Sequence, residues 1–375
     1  MQESENNIPP SFPYKAKSAF EAIDSLLAYA VFLRASDVHC DPRQDGLHIR
    51  FRIDGQISEI GILSIDLHTE FIARLKILSG ARTDIHYLPQ DGRWRLNILG
   101  LYYNIRISFM PTYHGENAVL RILSTKVSSE ISFAKLGFTP DHVRSIGEAL
   151  NKRHGMILVT GPTGSGKTTT LHTCLSVKAK EPLSIITLED PVEYEISGIR
   201  QIHIRHSQGV TFASGLRSAL RQDPDIIMVG EIRDSETAKV AIHTALTGHL
   251  VLSTLHTNSA LETITRLLDM GVDHYLLAST LKLIIAQRLI RTSCNDCSNY
   301  GCRICNFSGY IGRSVIAEVL SIDSGFSQLI EKQETSLIYE QYARSKGFRP
   351  INQDGMEKFD WGVTTKEEII NVLSN

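Results

Sequence analysis

Apolar and polar positions change rhythm along the chain. Ala19, Phe20, Ile23, Leu26, Leu27 and Ala30 recur at helical spacing and predict an amphipathic helix within 16–34. GLHIRFRIDGQISEI then alternates in two runs about Asp54-Gly55, the pattern of a β-hairpin. A second helix is expected over about 68–79, and RWRLNILGLYYNIRISFMPTYHGENAVLRIL alternates again, adding two or three strands. Residues 15–123 therefore read as a small α+β domain behind a polar tail, 1–14. The serine-rich STKVSSEIS, 124–132, reads as a flexible joint. From about 150 the period changes. MILVT, LSIITL, DIIMVG and HLVLSTL are apolar runs separated by helical stretches, the rhythm of a parallel α/β sheet. The segments expected here are 133–292 for the sheet domain, 293–320 for a cysteine-rich subdomain and 321–375 for a C-terminal helical region. TKEEIINVLS is read as a helix with Thr364 as N-cap.

Composition narrows the function. Lys and Arg (39) nearly balance Asp and Glu (41), for a net charge of -2, which is not the profile of a dedicated nucleic-acid binder. No apolar run reaches 18 residues and the N-terminus has no apolar core, so no span or signal peptide is expected and the cytoplasm is the default.

GPTGSGKT carries the chemistry most plainly. Gly161, Pro162, Thr163, Gly164, Ser165, Gly166, Lys167 and Thr168 match GxxxxGK[ST] throughout, with Thr169 continuing into a helix. The glycines let backbone amides face phosphates at the positive end of that helix. Lys167 is expected on the β and γ phosphates of ATP, and the Thr168 hydroxyl on Mg2+. Two acidic elements compete for the remaining roles. DPDIIMVGEIRD places Glu231 after a strand, with Asp225 at that strand's far end. ITLEDPVEY delivers Glu189 and Asp190 in the same way. Glu189 is assigned to the attacking water and Glu231 to the Mg2+ shell, although either carboxylate could be the general base. In TGHLVLSTLHTN, His249 and His256 flank a strand whose span of over ~20 Å rules out a shared metal. His256 is expected near the γ-phosphate, and His249 at an interface.

Together with ASDVH, RFRIDG, LPQDGR and SGLRSALRQDPDIIMVGEIRD, these stretches resemble the secretion ATPase superfamily over about 16–320. More narrowly, the chain is similar to the assembly ATPases of type II secretion, type IV pili and competence pseudopili. The resemblance implies an α/β fold: a RecA-like P-loop core behind a PAS-like α+β domain. It implies a homo-hexameric ring acting on an inner-membrane platform protein, peripheral at the membrane through partners, with no direct nucleic acid. It implies phosphate-directed arginines at Arg106 and Arg121 in the first domain and at Arg217 and Arg221 in the motor, a nucleotide-associated role for His249, and a structural role for Ser36, Asp37 and His39. A retraction motor and an ATP-dependent nucleic-acid translocase are the alternatives. His203 and Arg205, in QIHIRHSQGVTF, have no assigned role.

Cys294, Cys297, Cys302 and Cys305 form two CxxC pairs in CNDCSNYGCRIC, four of the chain's six cysteines. Four thiolates suit structural, tetrahedral Zn2+, with Gly301 easing the short turn. A redox pair and free thiols are the other readings. The resemblance adds that assembly ATPases carry this cluster while retraction ATPases typically lack it. Cys40 and Cys174 read as packed side chains.

Overall fold

A computed structural model describes residues 10–124 and 132–374, which fall into two compact units divided near residue 127. Most of the expected joint, 124–132, lies outside the described residues.

The first unit contains α1 (Ala19–Phe32), β1 (Ala35–Arg43), β2 (Gly46–Ile53), β3 (Gln56–Leu63), α2 (His68–Ser79), β4 (Gln90–Ile98), β5 (Leu101–Thr112) and β6 (Gly115–Ser124). Its strands form one antiparallel sheet in the order β3-β2-β1-β6-β5-β4. Ile23, Leu26 and Leu27 of α1 join Phe71 and Leu75 of α2 over Ile49, Phe51, Ile105 and Phe109 of the sheet. Asp54 and Gly55 both have positive φ, as a two-residue hairpin requires. The expected tail is shorter than 1–14: Phe12 is buried, and its ring occupies the space that a Cβ on Gly61 would need. Lys76 is fully buried on α2 and is neutralised by Glu116 at 2.6 Å.

The second unit contains α3 (Phe133–Leu136), α4 (Pro140–Leu150), β7 (Gly155–Thr160), α5 (Lys167–Lys178), β8 (Ile185–Glu189), β9 (Arg200–His203), α6 (Phe212–Ala219), β10 (Ile226–Val229), α7 (Ser235–Leu246) and β11 (Leu250–Leu255). It continues through α8 (Ala260–Asp269), α9 (His274–Thr280), β12 (Leu281–Ser293), β13 (Tyr310–Ser321), α10 (Ser324–Glu331), α11 (Ser336–Ser345), α12 (Ile351–Asp360) and α13 (Lys366–Leu373). Seven strands run in the order β13-β12-β7-β11-β10-β8-β9, parallel except for β13. The apolar runs that read as strands are buried without alternation in β7, β8, β10 and β11, as expected for a sheet covered on both faces. Two separate cores, one around Leu158, Ile227 and Val251 and one around Ile157, Leu171 and Leu252, account for those faces.

Two further placements differ from the sequence reading. Residues 310–320 are not part of a cysteine subdomain; they are β13, paired along β12, so the cysteines occupy only the loop of a hairpin. The N-cap of α13 is Thr365, which accepts from Glu368 N, because the Thr364 hydroxyl donates instead to Arg291 O. β12 pairs with β7 from Leu281↔Met156 to Ala286↔Thr160, then runs on through residues 287–293 beside β13.

Candidate active site

The ends of β7, β8, β10 and β11 share one edge of the sheet, and the candidate groups collect there. The strand β7 ends at Thr160, and Gly161 turns the chain at φ 144, where a Cβ would meet Gln287 O at 2.5 Å. Gly166 caps α5 in the left-handed region at φ 87. Pro162, Thr163, Gly164 and Thr168 are exposed on the loop, whereas Ser165 and Lys167 are buried. Lys167 Nζ donates to Gly161 O at 2.7 Å and to Pro162 O at 3.0 Å. Burial pushes its ammonium down to about 8; the Glu231 carboxylate resists and the Arg288 guanidinium adds to the shift.

Glu231 lies just past β10, mostly buried. Its Oε2 meets Arg233 Nε at 2.6 Å and His256 Nε2 at 3.6 Å. Burial, then the Lys167 charge, holds the imidazole of His256 below its ordinary value against the pull of Glu231. Lys167, Glu231 and His256 therefore sense one another. Beneath them, Thr160 Oγ1 and Thr257 Oγ1 are 2.6 Å apart, which ties the segment after His256 to the end of β7.

Glu189 ends β8 and is buried in a different cradle. Its Oε1 accepts from Thr187 Oγ1 at 2.6 Å and from Gln201 Nε2 at 2.9 Å. His172 Nε2, on α5, lies 3.3 Å from Oε2. Burial alone would raise this carboxyl; His172, Gln201 and Thr187 together outweigh it and hold it below the usual range. The ring of Tyr194 stands edge-on to His172, with centroids 4.5 Å apart.

Other expected residues lie elsewhere. His249 precedes β11, at the edge opposite Lys167, and its Nδ1 is 3.1 Å from Thr244 O. Asp225 likewise stands at the far end of β10 and accepts from Ser184 N. Arg217 pairs with Glu236 at 2.8 Å, and Arg221 donates to Arg217 O and Ser218 Oγ. In the first unit, Arg121 is paired in register with Asp37 and with Arg106, and its Nε donates to Asp37 Oδ1 at 2.9 Å.

Several participants carried no assignment from sequence: His172, Gln201, Arg233, Gln287 and Arg288. Gln287 is fully buried on β12. It accepts from Thr170 Oγ1 at 2.8 Å and donates to Ser165 O at 2.8 Å, bracing the phosphate loop. The available signal was a Gln-Arg pair inside the apolar run LIIAQRLI.

The four cysteine sulphurs lie within 4.8 Å of one another. Cys294–Cys302 and Cys297–Cys305 are 3.8 Å apart and Cys302–Cys305 3.7 Å. A tetrahedral ion with four Zn–S bonds of ~2.3 Å spaces its sulphurs by about 3.8 Å, so the set fits such an ion without rearrangement. All four are free of disulfides. Burial opposes ionisation of Cys305, but the Cys302 and Gly309 N–H groups bring its thiol down to about 6.

The family model described as "Type II/IV secretion system protein" matches residues 15–371. Type II secretion system protein E of Xanthomonas campestris pv. campestris is 43% identical, over 94% of this chain and 67% of that protein. Type II secretion system ATPase E of Vibrio cholerae is 38% identical, over 99% of this chain and 77% of that protein. The fold matches the Legionella pneumophila ATPase DotB with a TM-score of 0.76 at 23% identity, over 97% of this chain and 98% of that one. The chain belongs to the type II/IV secretion system protein family and is one of its ATPases.

Proposed function

We propose that this ATPase works as a homo-hexameric ring that drives growth of a type II secretion pseudopilus or type IV pilus-like filament through an inner-membrane platform protein. The observation that carries the reading is the convergence of Lys167, Glu231 and His256 at the end of the phosphate loop, with Glu189 held beside the same helix. Gly161–Thr169 would cradle the triphosphate of ATP. Thr168 and Glu231 would hold Mg2+, which supplies charge neutralisation when bound. Glu189, enclosed and kept ionised by its donors, is suited to orient the attacking water. His256, neutral near pH 7, is suited to sense the γ-phosphoryl group. Arg106, Arg121, Arg217 and Arg221 are proposed to neutralise phosphate charge in the assembled ring, and His249 to serve nucleotide-dependent contacts there. Cys294, Cys297, Cys302 and Cys305 would hold one structural Zn2+. The cysteine cluster favours assembly over retraction, and no described helix is long and apolar enough to cross a membrane.

The test is Glu231→Gln as the cell's only copy. The expected outcome is retained nucleotide binding, lost turnover and loss of one class of filament or secreted protein. A rise in surface filaments would instead identify retraction, and DNA-stimulated turnover of the wild type would identify a translocase.

A further inference from the structure

His172 lies on α5, five residues beyond Lys167, and its side chain is 2% exposed. Its surroundings are unusual for a histidine. The ring packs edge-on against Tyr194, and neither ring nitrogen has a well-aligned hydrogen-bond partner. Buried polar atoms without partners are costly, and most are matched. The acceptor in reach is Oε2 of Glu189, 3.3 Å from Nε2 but off the line of a good hydrogen bond. The two carboxylate oxygens are unequal. Oε1 is fixed by Thr187 and Gln201, both on the Glu189 side of the pair, on β8 and β9. Oε2 faces the helix that begins at the phosphate loop. Rotation of the carboxylate about the Oε1 anchor, or a small shift of α5, would align Nε2 with Oε2.

We propose that His172 is a positioning residue for Glu189: donating from Nε2 to Oε2, it sets the plane of the carboxylate according to the position of the phosphate-loop helix. The inference rests on Glu189 being the residue that orients the attacking water. A phosphate that draws on the N-terminus of α5 moves His172 with it, since both belong to one rigid helix. Nucleotide binding and orientation of the base are thereby joined through one side chain.

The test uses the full chain with Mg-ATP turnover, binding of a fluorescent ATP analogue, and five variants: Glu189→Gln, His172→Leu, His172→Gln, His172→Asn and the double variant His172→Leu with Glu189→Gln. Glu189→Gln should abolish steady-state turnover and leave a residual single-turnover rate with analogue affinity intact. His172→Leu should lower kcat about tenfold while KM and analogue affinity stay within about twofold. His172→Gln, whose amide N–H can reach Oε2, should recover most of that loss; His172→Asn, one methylene shorter, should not. In the Glu189→Gln background His172→Leu should change the residual rate by less than about twofold, because the two residues act as one unit. If the leucine variant does not fold, the glutamine and asparagine pair carries the same comparison. A kcat within about twofold of wild type in both His172→Leu and His172→Asn, with Glu189→Gln inactive, overturns the inference and leaves the role of Glu189 standing. Equal losses of kcat and analogue affinity, or an undiminished effect in the double variant, overturn it in favour of a purely structural histidine. Wild-type turnover in Glu189→Gln removes the underlying assignment, and the inference with it.

Discussion

Lys167 carries a testable consequence of its burial. With the ammonium depressed to about 8, it meets phosphate fully charged below that pH and has to take up a proton above it. The KM for ATP is therefore expected to be flat near neutrality and to rise above pH about 8, by up to about tenfold per unit. Steady-state titration of KM, with kcat followed separately, checks this. In the first unit, Glu116 neutralises the fully buried Lys76. Burial would raise its carboxyl, but Lys76 and His86 outweigh this and hold it below the ordinary value. The sign follows: this stability is present above the unfolded carboxyl value of ~4.3 and is lost as pH falls through the lower folded one. Glu116→Gln strands the Lys76 ammonium in the core and should cost about 3 kcal/mol in urea unfolding at pH 7. Side chains of these two kinds differ in how readable they were. Lys167 and Thr168 stand in a spacing of glycines that has meaning by itself. His172 and Gln287 do not: the Thr170 partner of Gln287 is 117 residues away, and only the fold brings them together.

Elements were read more fully than side chains. Continuous apolar runs marked β7, β8, β10 and β11 because both faces of that sheet are covered. Asp54-Gly55 marked the turn between β2 and β3, and both residues take positive φ there. The reading failed where two elements lie side by side without a boundary in composition. Tyr310–Ser321 looked continuous with the cysteine segment and is instead the antiparallel partner of β12. The placement of the α13 cap failed for a similar reason. Thr364 and Thr365 each precede a glutamate by three residues, and the choice is made by Arg291 O, which takes the Thr364 hydroxyl. Arg291 itself is bound to Glu368 of α13, and Tyr310 Oη is 2.8 Å from Thr365 Oγ1, so α13 buttresses the hairpin. Replacing Cys294 and Cys297 by serine should remove one equivalent of bound zinc, measured by elemental analysis, and lower the thermal midpoint. ATP-analogue affinity should survive, because the cysteines lie at the far end of β12 from Gln287.

At the scale of the molecule, the family assignment and the hydrolytic class were legible in the sequence because several short stretches had to coincide. The roles proposed for the arginines depend on assembly, which no local pattern in the sequence encodes. Arg121 already has a partner in Asp37, and its register with Arg106 places two cations side by side on one sheet. Arg121→Ala should lower kcat at least about tenfold where copies associate, while leaving the affinity of a dilute chain for nucleotide within about twofold. Activity measured against protein concentration, beside analogue binding, separates the two. One further property comes from β12 running past the sheet. Residues 287–293 extend it roughly 20 Å beyond its pairing with β7, at the usual rise per residue. Gln287, which grips the phosphate loop, sits at the base of this extension, and the cysteine loop sits at its tip. The hairpin would thus act as a lever whose fulcrum lies beside the phosphate loop. A tilt of roughly 6° at Gln287 would carry the tip roughly 2 Å over that length, turning a small displacement at the phosphates into a stroke that a neighbouring protein can feel.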